Sequence, residues 1–459
     1  MISNALSASS SGALPAVPGP AARQPASFAD DRWLKRGVWA YFLLVIFEGV
    51  LRKWFLPSLA TPLLLVRDPI ALWLLVAAWR RHLLPANLYL SGMVAVGIVS
   101  IFTAVFLGHG SLPVALYGAR ILLIHFPMVF VIGRLFNRAD VLRIGLVTLW
   151  IAIPMTVLIA LQFYSPQSAW VNRGVGGDTA GAGFSGAGDY FRPPGTFSFT
   201  NGTTLFYSFV APFVFYFLLN TGRINRLLLL GATAALLLAV PLSISRSLFF
   251  SVGVSLAFAL VAILRKPGYL GRVLLAAGAV AIVLAALSTT SFFQTASGAF
   301  LARFDNANET EGGLQGVLIE RYLLNTLGSV FGVAGQSQIP FFGYGTGLFT
   351  NVGMALTNTH TEAVFEAEWG RLIAELGPML GLLVVGLRIG LSWRIARACY
   401  QQLARGELLP WMLLSFGLLI IPQGLSSQPT SLGFFVIIGG LCIAALRAPT
   451  PAGATQFAN

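Results

Sequence analysis

Residues 360–381 read HTEAVFEAEWGRLIAELGPMLG, and the apolar run LLVVGL follows directly. Glu368, Arg371 and Glu375 are spaced three and four apart. On a helix turning 100° per residue they share one face. Arg371 is then held between two carboxylates, either as a structural ion network or as a clamp that fixes a catalytic carboxylate. Glu362 and Glu366 look toward nearly the opposite face. A second set of charges is basic: Arg52, Lys53, Arg67, Arg120, Arg192, Arg246, Arg303 and Arg321 sit within or beside apolar segments. Arg120 lies inside ALYGARILLIHFPMVF and Arg246 inside PLSISRSLFFSVG. An arginine at the centre of a membrane span costs about 2.5–3.5 kcal/mol, so each calls for a polar cavity or a partner. Asp68, directly after Arg67, is one partner. Guanidinium groups match phosphate oxygens in a two-pronged geometry and stay charged at any relevant pH. A lipid carrying a diphosphate would supply the remaining negative charge.

The elements that must position these groups are hydrophobic helices. Of 459 residues, 56% are hydrophobic and only 10% charged. Soluble domains carry roughly 25% charge. Repeated apolar runs of about 18–20 residues are the mark of spanning helices, and the weak ten-residue alternation of a membrane barrel is absent. The chain is expected to be an all-α polytopic membrane protein of about twelve spans: 37–55, 62–79, 87–107, 112–133, 141–163, 201–219, 226–243, 246–264, 271–288, 369–388, 409–426 and 430–446. Arg80 and Arg81; Arg134, Arg138 and Arg143; Arg223 and Arg226; Arg265, Lys266 and Arg272; and Arg394, Arg397 and Arg405 fall in alternate loops. That side is expected to be cytoplasmic. Both termini then face inward, and the formal charge of +13 follows from the same bias, with no nucleic-acid partner implied.

The expected organisation follows. Residues 1–31, rich in Ala, Ser and Pro, form a disordered tail. Residues 32–288 hold spans one to nine, with a Gly-rich outer loop at 164–200. Residues 289–368 form a large outer loop with a small helical cap, in which QGVLIERYLLNTLGSVFG is amphipathic. Spans ten to twelve occupy 369–447, and 448–459 is a second tail. Cys399 and Cys442 have no disulfide or metal-ligand spacing, and no cofactor or metal is expected. GYGTG at 343–347 lacks the strand–turn–helix setting of a dinucleotide fingerprint and reads as a structural turn.

Four stretches carry a resemblance. FRPPGTFSFTNG (191–202), ISRSLFFSVG (244–253), ERYLLNTLGSVFG with FFGYGTG (320–347), and EAEWGRLIAELGPMLGLL resemble, in order and spacing, segments of the bacterial O-antigen ligase and polysaccharide polymerase superfamily. FEGVLRKWFLPSLATPLLLVRDP (47–69) is similar to its exopolysaccharide polymerase-like members. The resemblance implies a glycosyltransferase of the bacterial inner membrane. Such an enzyme takes a glycan on polyprenyl diphosphate, inverts the sugar carbon without a metal, and passes the glycan to an acceptor glycan at the periplasmic face. The implied donor-diphosphate ligands are Arg192, Arg246 and Arg321, then Arg120 and Arg52. The implied acid–base group comes from His360, Glu362 or Glu366, with Glu368 and Arg371 beside them. Family ligases carry a functional His in the large outer loop. His360 in TNTHTEA fits that pattern loosely and otherwise reads as a solvated loop residue.

Polymerisation of repeat units is the expected activity. Two alternatives stand beside it: ligation of glycan to lipid A core or protein, and transport of lipid-linked sugar. A chain-length regulator and export machinery are the protein partners that a polymerase would have.

Overall fold

The computed structural model describes residues 28–187, 189–220, 222, 224–266, 268, 270–311, 339–357 and 367–447. Residues 1–27 of the expected tail 1–31, the expected tail 448–459, the amphipathic segment 315–332, and Arg321, His360, Glu362 and Glu366 lie outside the described residues, while 28–31 already belong to the first helix.

The chain is predominantly helical. In order come α1 (Phe28–Val50), α2 (Asp68–Arg80), α3 (Leu88–Phe106), α4 (Leu112–Arg120), α5 (Phe126–Leu135), α6 (Arg138–Tyr164), α7 (Thr200–Leu219), α8 (Arg226–Leu242), α9 (Arg246–Arg265), α10 (Leu270–Ser288), α11 (Ser291–Glu311), α12 (Asn351–Thr357), α13 (Glu368–Ala404), α14 (Leu408–Ile420) and α15 (Pro429–Ala445). Among the described residues, seven helices are long and apolar enough to cross a membrane, and those at 226–242, 408–420 and 429–445 are shorter apolar ones. In the Gly-rich loop, β1 (Phe184–Ala187) and β2 (Tyr190–Arg192) form an antiparallel hairpin, which the sequence did not announce.

Helix α7 is the centre. Phe206, Tyr207, Phe209, Phe213 and Phe217 are all fully buried, the pattern of a helix apolar on every side. It packs against α6, α8, α9, α14 and α15. The basic loops meet at one end of the bundle: Lys35 pairs with Asp140 at 2.6 Å, Arg138 with Glu407, Arg447 with the Arg134 carbonyl, and Lys266 with the Gly406 carbonyl.

The helices differ in length. Helices α2, α8, α14 and α15 have 13, 17, 13 and 17 residues, about 20–25 Å at 1.5 Å per residue. Helix α6 has 27. Two π-helical turns interrupt the regular geometry, Leu51–Phe55 after α1 and Ile121–His125 between α4 and α5. Each adjoins buried charge, Arg52 and Lys53 in one case and Arg120 and His125 in the other. Such bulges recur where a helix must re-aim side chains.

Helix α13 corrects the expectation of a plain span over 369–388. Gly377 has φ +80° and ψ 166°, with Pro378 after it. Twenty residues of unbroken helix would separate Glu368 from Arg388 by about 30 Å, yet their side chains meet at 3.0 Å. A Cβ on Gly381 would lie 2.7 Å from Ile373 Cα. Residues 368–376 therefore fold back on 378–404 as a half-helix. The GYGTG turn packs on this bend, through Tyr344 N to Ala374 O at 2.8 Å and Gly345 N to Glu375 O at 2.9 Å. Gly377→Ala would put a Cβ 2.1 Å from Phe341 O in a left-handed conformation. The strain alone is worth about 1–3 kcal/mol. The detergent-solubilised variant is expected to melt measurably earlier than wild type, and an unchanged melting midpoint would contradict the bend.

Candidate functional site

Glu368, Arg371, Glu375 and Arg388 lie in one buried layer, at the end of the bundle away from the basic loops. Arg371 donates to Glu368 from Nε at 3.0 Å and Nη2 at 2.8 Å, and to Glu375 from Nη1 at 2.6 Å. Glu375 also accepts from Gly347 N and Phe349 N at 3.1 and 3.0 Å. Arg388 joins through Glu368 and donates to the carbonyls of Ile421 at 3.0 Å and Gly424 at 2.8 Å. Ser426 donates to Glu368. All four ionic side chains are buried. The cavity that Arg388 and Ser426 line measures about 10 Å³, at the size of one water. The group of four is closed on itself.

A second closed group sits beside it. Both Asp68 oxygens accept from Arg120 Nη1 at 2.8 Å. Asp68 Oδ1 also lies 2.9 Å from His125 Nε2, and Tyr41 Oη lies 3.0 Å from His125 Nδ1. A neutral imidazole with its proton on Nε2 satisfies both contacts. Arg67 approaches Glu48 at 3.1 Å and donates to Pro429 O at 2.6 Å. Arg52 donates to Ser198 Oγ and Ala60 O, each at 2.8 Å, and lies 3.6 Å from Glu48. The FRPPGTFSFTNG stretch is clamped here. Gly195 O accepts from Lys53 Nζ at 2.6 Å and Gln162 Nε2 at 3.2 Å, and Thr203 Oγ1 donates to Pro193 O at 3.1 Å.

The segment 421–428 between α14 and α15 is tied to the first group, and Pro429, directly after it, to the second through Arg67. The segment takes Arg388, Arg371 through Ser426 at 3.2 Å, and Trp369 Nε1 through Pro422 O at 2.9 Å. Its last residue, Gln428, is exposed and accepts from Asn201 at 3.1 Å.

That contact marks a different kind of place. Asn201 lies in the first turn of α7, and Gln428 caps α15. Thr204, further along α7, meets Ser245, the cap of α9, at 2.9 Å. Three helix N-termini thus converge, and none carries an acidic residue in its first turn. Each contributes roughly half a positive charge and unsatisfied N–H groups. Arg246 is the first residue of α9 and is buried. Ile244, two residues earlier, has φ +48°. A β-branched residue in the left-handed region is a genuine outlier, of the kind concentrated at functional turns. The hairpin leans on this turn: a Cβ on Gly186 would lie 2.7 Å from Ile244 Cδ1 and 3.4 Å from Arg192 Cγ. Arg192, half-buried, is thereby brought to the turn that presents Arg246.

An apolar groove of about 610 Å³ runs between α9, α13 and α14, and Pro422 is among its walls. Trp393, Tyr400 and Leu418 in it are exposed, as for a surface facing acyl chains.

The structure thus separates the candidates. Arg246 lies at the convergent N-termini, and Arg192 lies on the hairpin that packs against Ile244. Arg52, Arg120, Glu368 and Arg371 lie in the closed ionic layer. Sequence reasoning passed over Arg388, Ser426, Gln428 and Asn201. Pro-Gln-Gly at 422–424, inside an expected span, was the available signal for the break. No family model and no curated protein matches the chain, so its chemistry has to be read from the side chains themselves.

Proposed function

We propose that the protein is a glycosyltransferase of a bacterial inner membrane. It polymerises oligosaccharide repeat units carried on polyprenyl diphosphate at the periplasmic face, with inversion and without a metal. Each of the twelve expected segments contains helix, with 369–388 bent at Gly377 and 409–426 leaving helix after Ile420, and we take them as twelve crossings with both termini inside.

The observation that carries the reading is the meeting of three acid-free helix N-termini at Arg246, with the Arg192 hairpin packed against Ile244 beside it. Such a place favours a polyanion, and the diphosphate of a lipid-linked donor is one that reaches it from the bilayer. The apolar groove ending at Pro422 suits the isoprenoid tail. An acceptor hydroxyl attacks the anomeric carbon, a carbon–oxygen bond forms, and the bond from that carbon to the phosphate oxygen breaks. The lipid diphosphate leaves with the electron pair and gathers negative charge. Fixed positive groups that meet this charge accelerate the step. The hydroxyl proton passes to a base, for which His360, Glu362 and Glu366 remain the candidates. Arg52, Glu368 and Arg371 act as positioning residues that hold the segments 193–198 and 421–428, and Arg120 as one that holds Asp68 beside His125.

A transporter of lipid-linked sugar is the second reading, because broken helices at depth also mark transport sites. The test uses purified protein in lipid nanodiscs with a synthetic polyprenyl diphosphate oligosaccharide. Longer glycans with release of lipid diphosphate are expected. Movement of the donor across a vesicle bilayer, with its glycan unchanged, would overturn the enzyme reading. Offering lipid A core as acceptor separates ligase from polymerase.

A further inference from the structure

The opposite end of the bundle holds a second basic place, unconnected with the donor reading. A cleft of about 440 Å³ opens between the start of α3, the end of α5, the middle of α13 and the end of α15. Arg134, Arg394 and Arg447 line it, and no carboxylate does among the described residues. All three arginines are exposed. Arg447 Nη1 donates to the carbonyls of Arg134 and Phe136, so its guanidinium is anchored where α5 ends. Tyr89 and Asn87 add polar edges, while Phe130, Ile395 and Ile443 supply an apolar wall.

Three guanidinium groups at the end of a hydrophobic cleft match a phosphate head joined to acyl chains. A soluble anion would have no use for the apolar wall, and a neutral lipid would leave the cations unmatched. We propose that this cleft seats the headgroup of an anionic phospholipid. The chains lie along Phe130, Ile395 and Ile443 and the phosphate lies among Arg134, Arg394 and Arg447. The site is set by helix ends that also meet at the basic loops, so an occupied cleft ties α3, α5, α13 and α15 together at that end.

The experiment is native mass spectrometry of the full chain released from detergent containing cardiolipin, phosphatidylcholine or inorganic phosphate. Wild type is expected to retain cardiolipin and not phosphatidylcholine. The double variant Arg134→Gln/Arg394→Gln, with both changes at exposed positions, is expected to bind cardiolipin about 30-fold more weakly. Its melting midpoint without lipid is expected to match that of wild type, which separates lost binding from lost folding. Equal cardiolipin retention by variant and wild type would overturn the site. Displacement of the lipid by inorganic phosphate at millimolar concentration would overturn the lipid as its occupant.

Discussion

Arg246→Lys is expected to lower the rate of glycan transfer about 10²- to 10³-fold while leaving the protein folded. Arg246 heads α9, between the Ser245 cap and the first turn of the helix. Lysine keeps the charge but loses the planar fork that meets two phosphate oxygens at once. One well-placed donor aimed at developing negative charge is worth about 3–4 kcal/mol, which sets the size of the effect. Arg192→Lys is expected to fall the same way by a smaller factor, because Arg192 is half-buried on a hairpin. The measurement is release of lipid diphosphate by purified protein at equal concentration, with the melting midpoint recorded alongside. Activity within threefold of wild type for Arg246→Lys would remove the diphosphate from this place.

Glu368→Ala is the second, and its expected effect is on stability. Glu368 is the counter-charge for both Arg371 and Arg388, and all three are buried. Removing it leaves two cations in a dry layer. Breaking a buried pair by deleting one partner costs about 3–5 kcal/mol, a large share of the 5–15 kcal/mol that holds a typical fold. The variant is expected to be recovered in low yield and to melt far below wild type. Adding Arg388→Met to it should restore part of the loss, since Arg371 keeps Glu375. A Glu368→Ala protein that melts normally yet makes no polymer would instead assign the carboxylate to catalysis.

The apolar helices were readable because such a run has few other ways to satisfy its backbone in lipid, whereas α11, with Arg303, Asp305, Glu309 and Glu311 along it, fell in what reads as the outer loop 289–368. The pairing of Arg371 with Glu368 and Glu375 was equally readable, being spaced three and four apart on one helix. What could not be read was everything that depends on chain reversal. Arg388 meets Glu368 because Gly377 turns the chain, and a hydropathy window sees 369–388 as continuous. The break after Ile420 was hidden for the same reason: 421–428 is apolar enough to pass as helix while its carbonyls are taken by Arg388 and Trp369 from elsewhere. The convergence of α7, α9 and α15 rests on contacts between residues 41 to 227 positions apart, and local pattern carries no record of those.

The shortness of α14 and α15 bears on what surrounds them. Helices of 13 and 17 residues fall short of a hydrocarbon layer about 30 Å thick. In lipid, backbone beyond a helix end is tolerated only where protein covers it. Helix α15 is buried along nearly its whole length, and α14 along most of its own. The neighbouring helices are the local solvent for both, so an irregular segment such as 421–428 meets side chains where a peripheral helix would meet acyl chains.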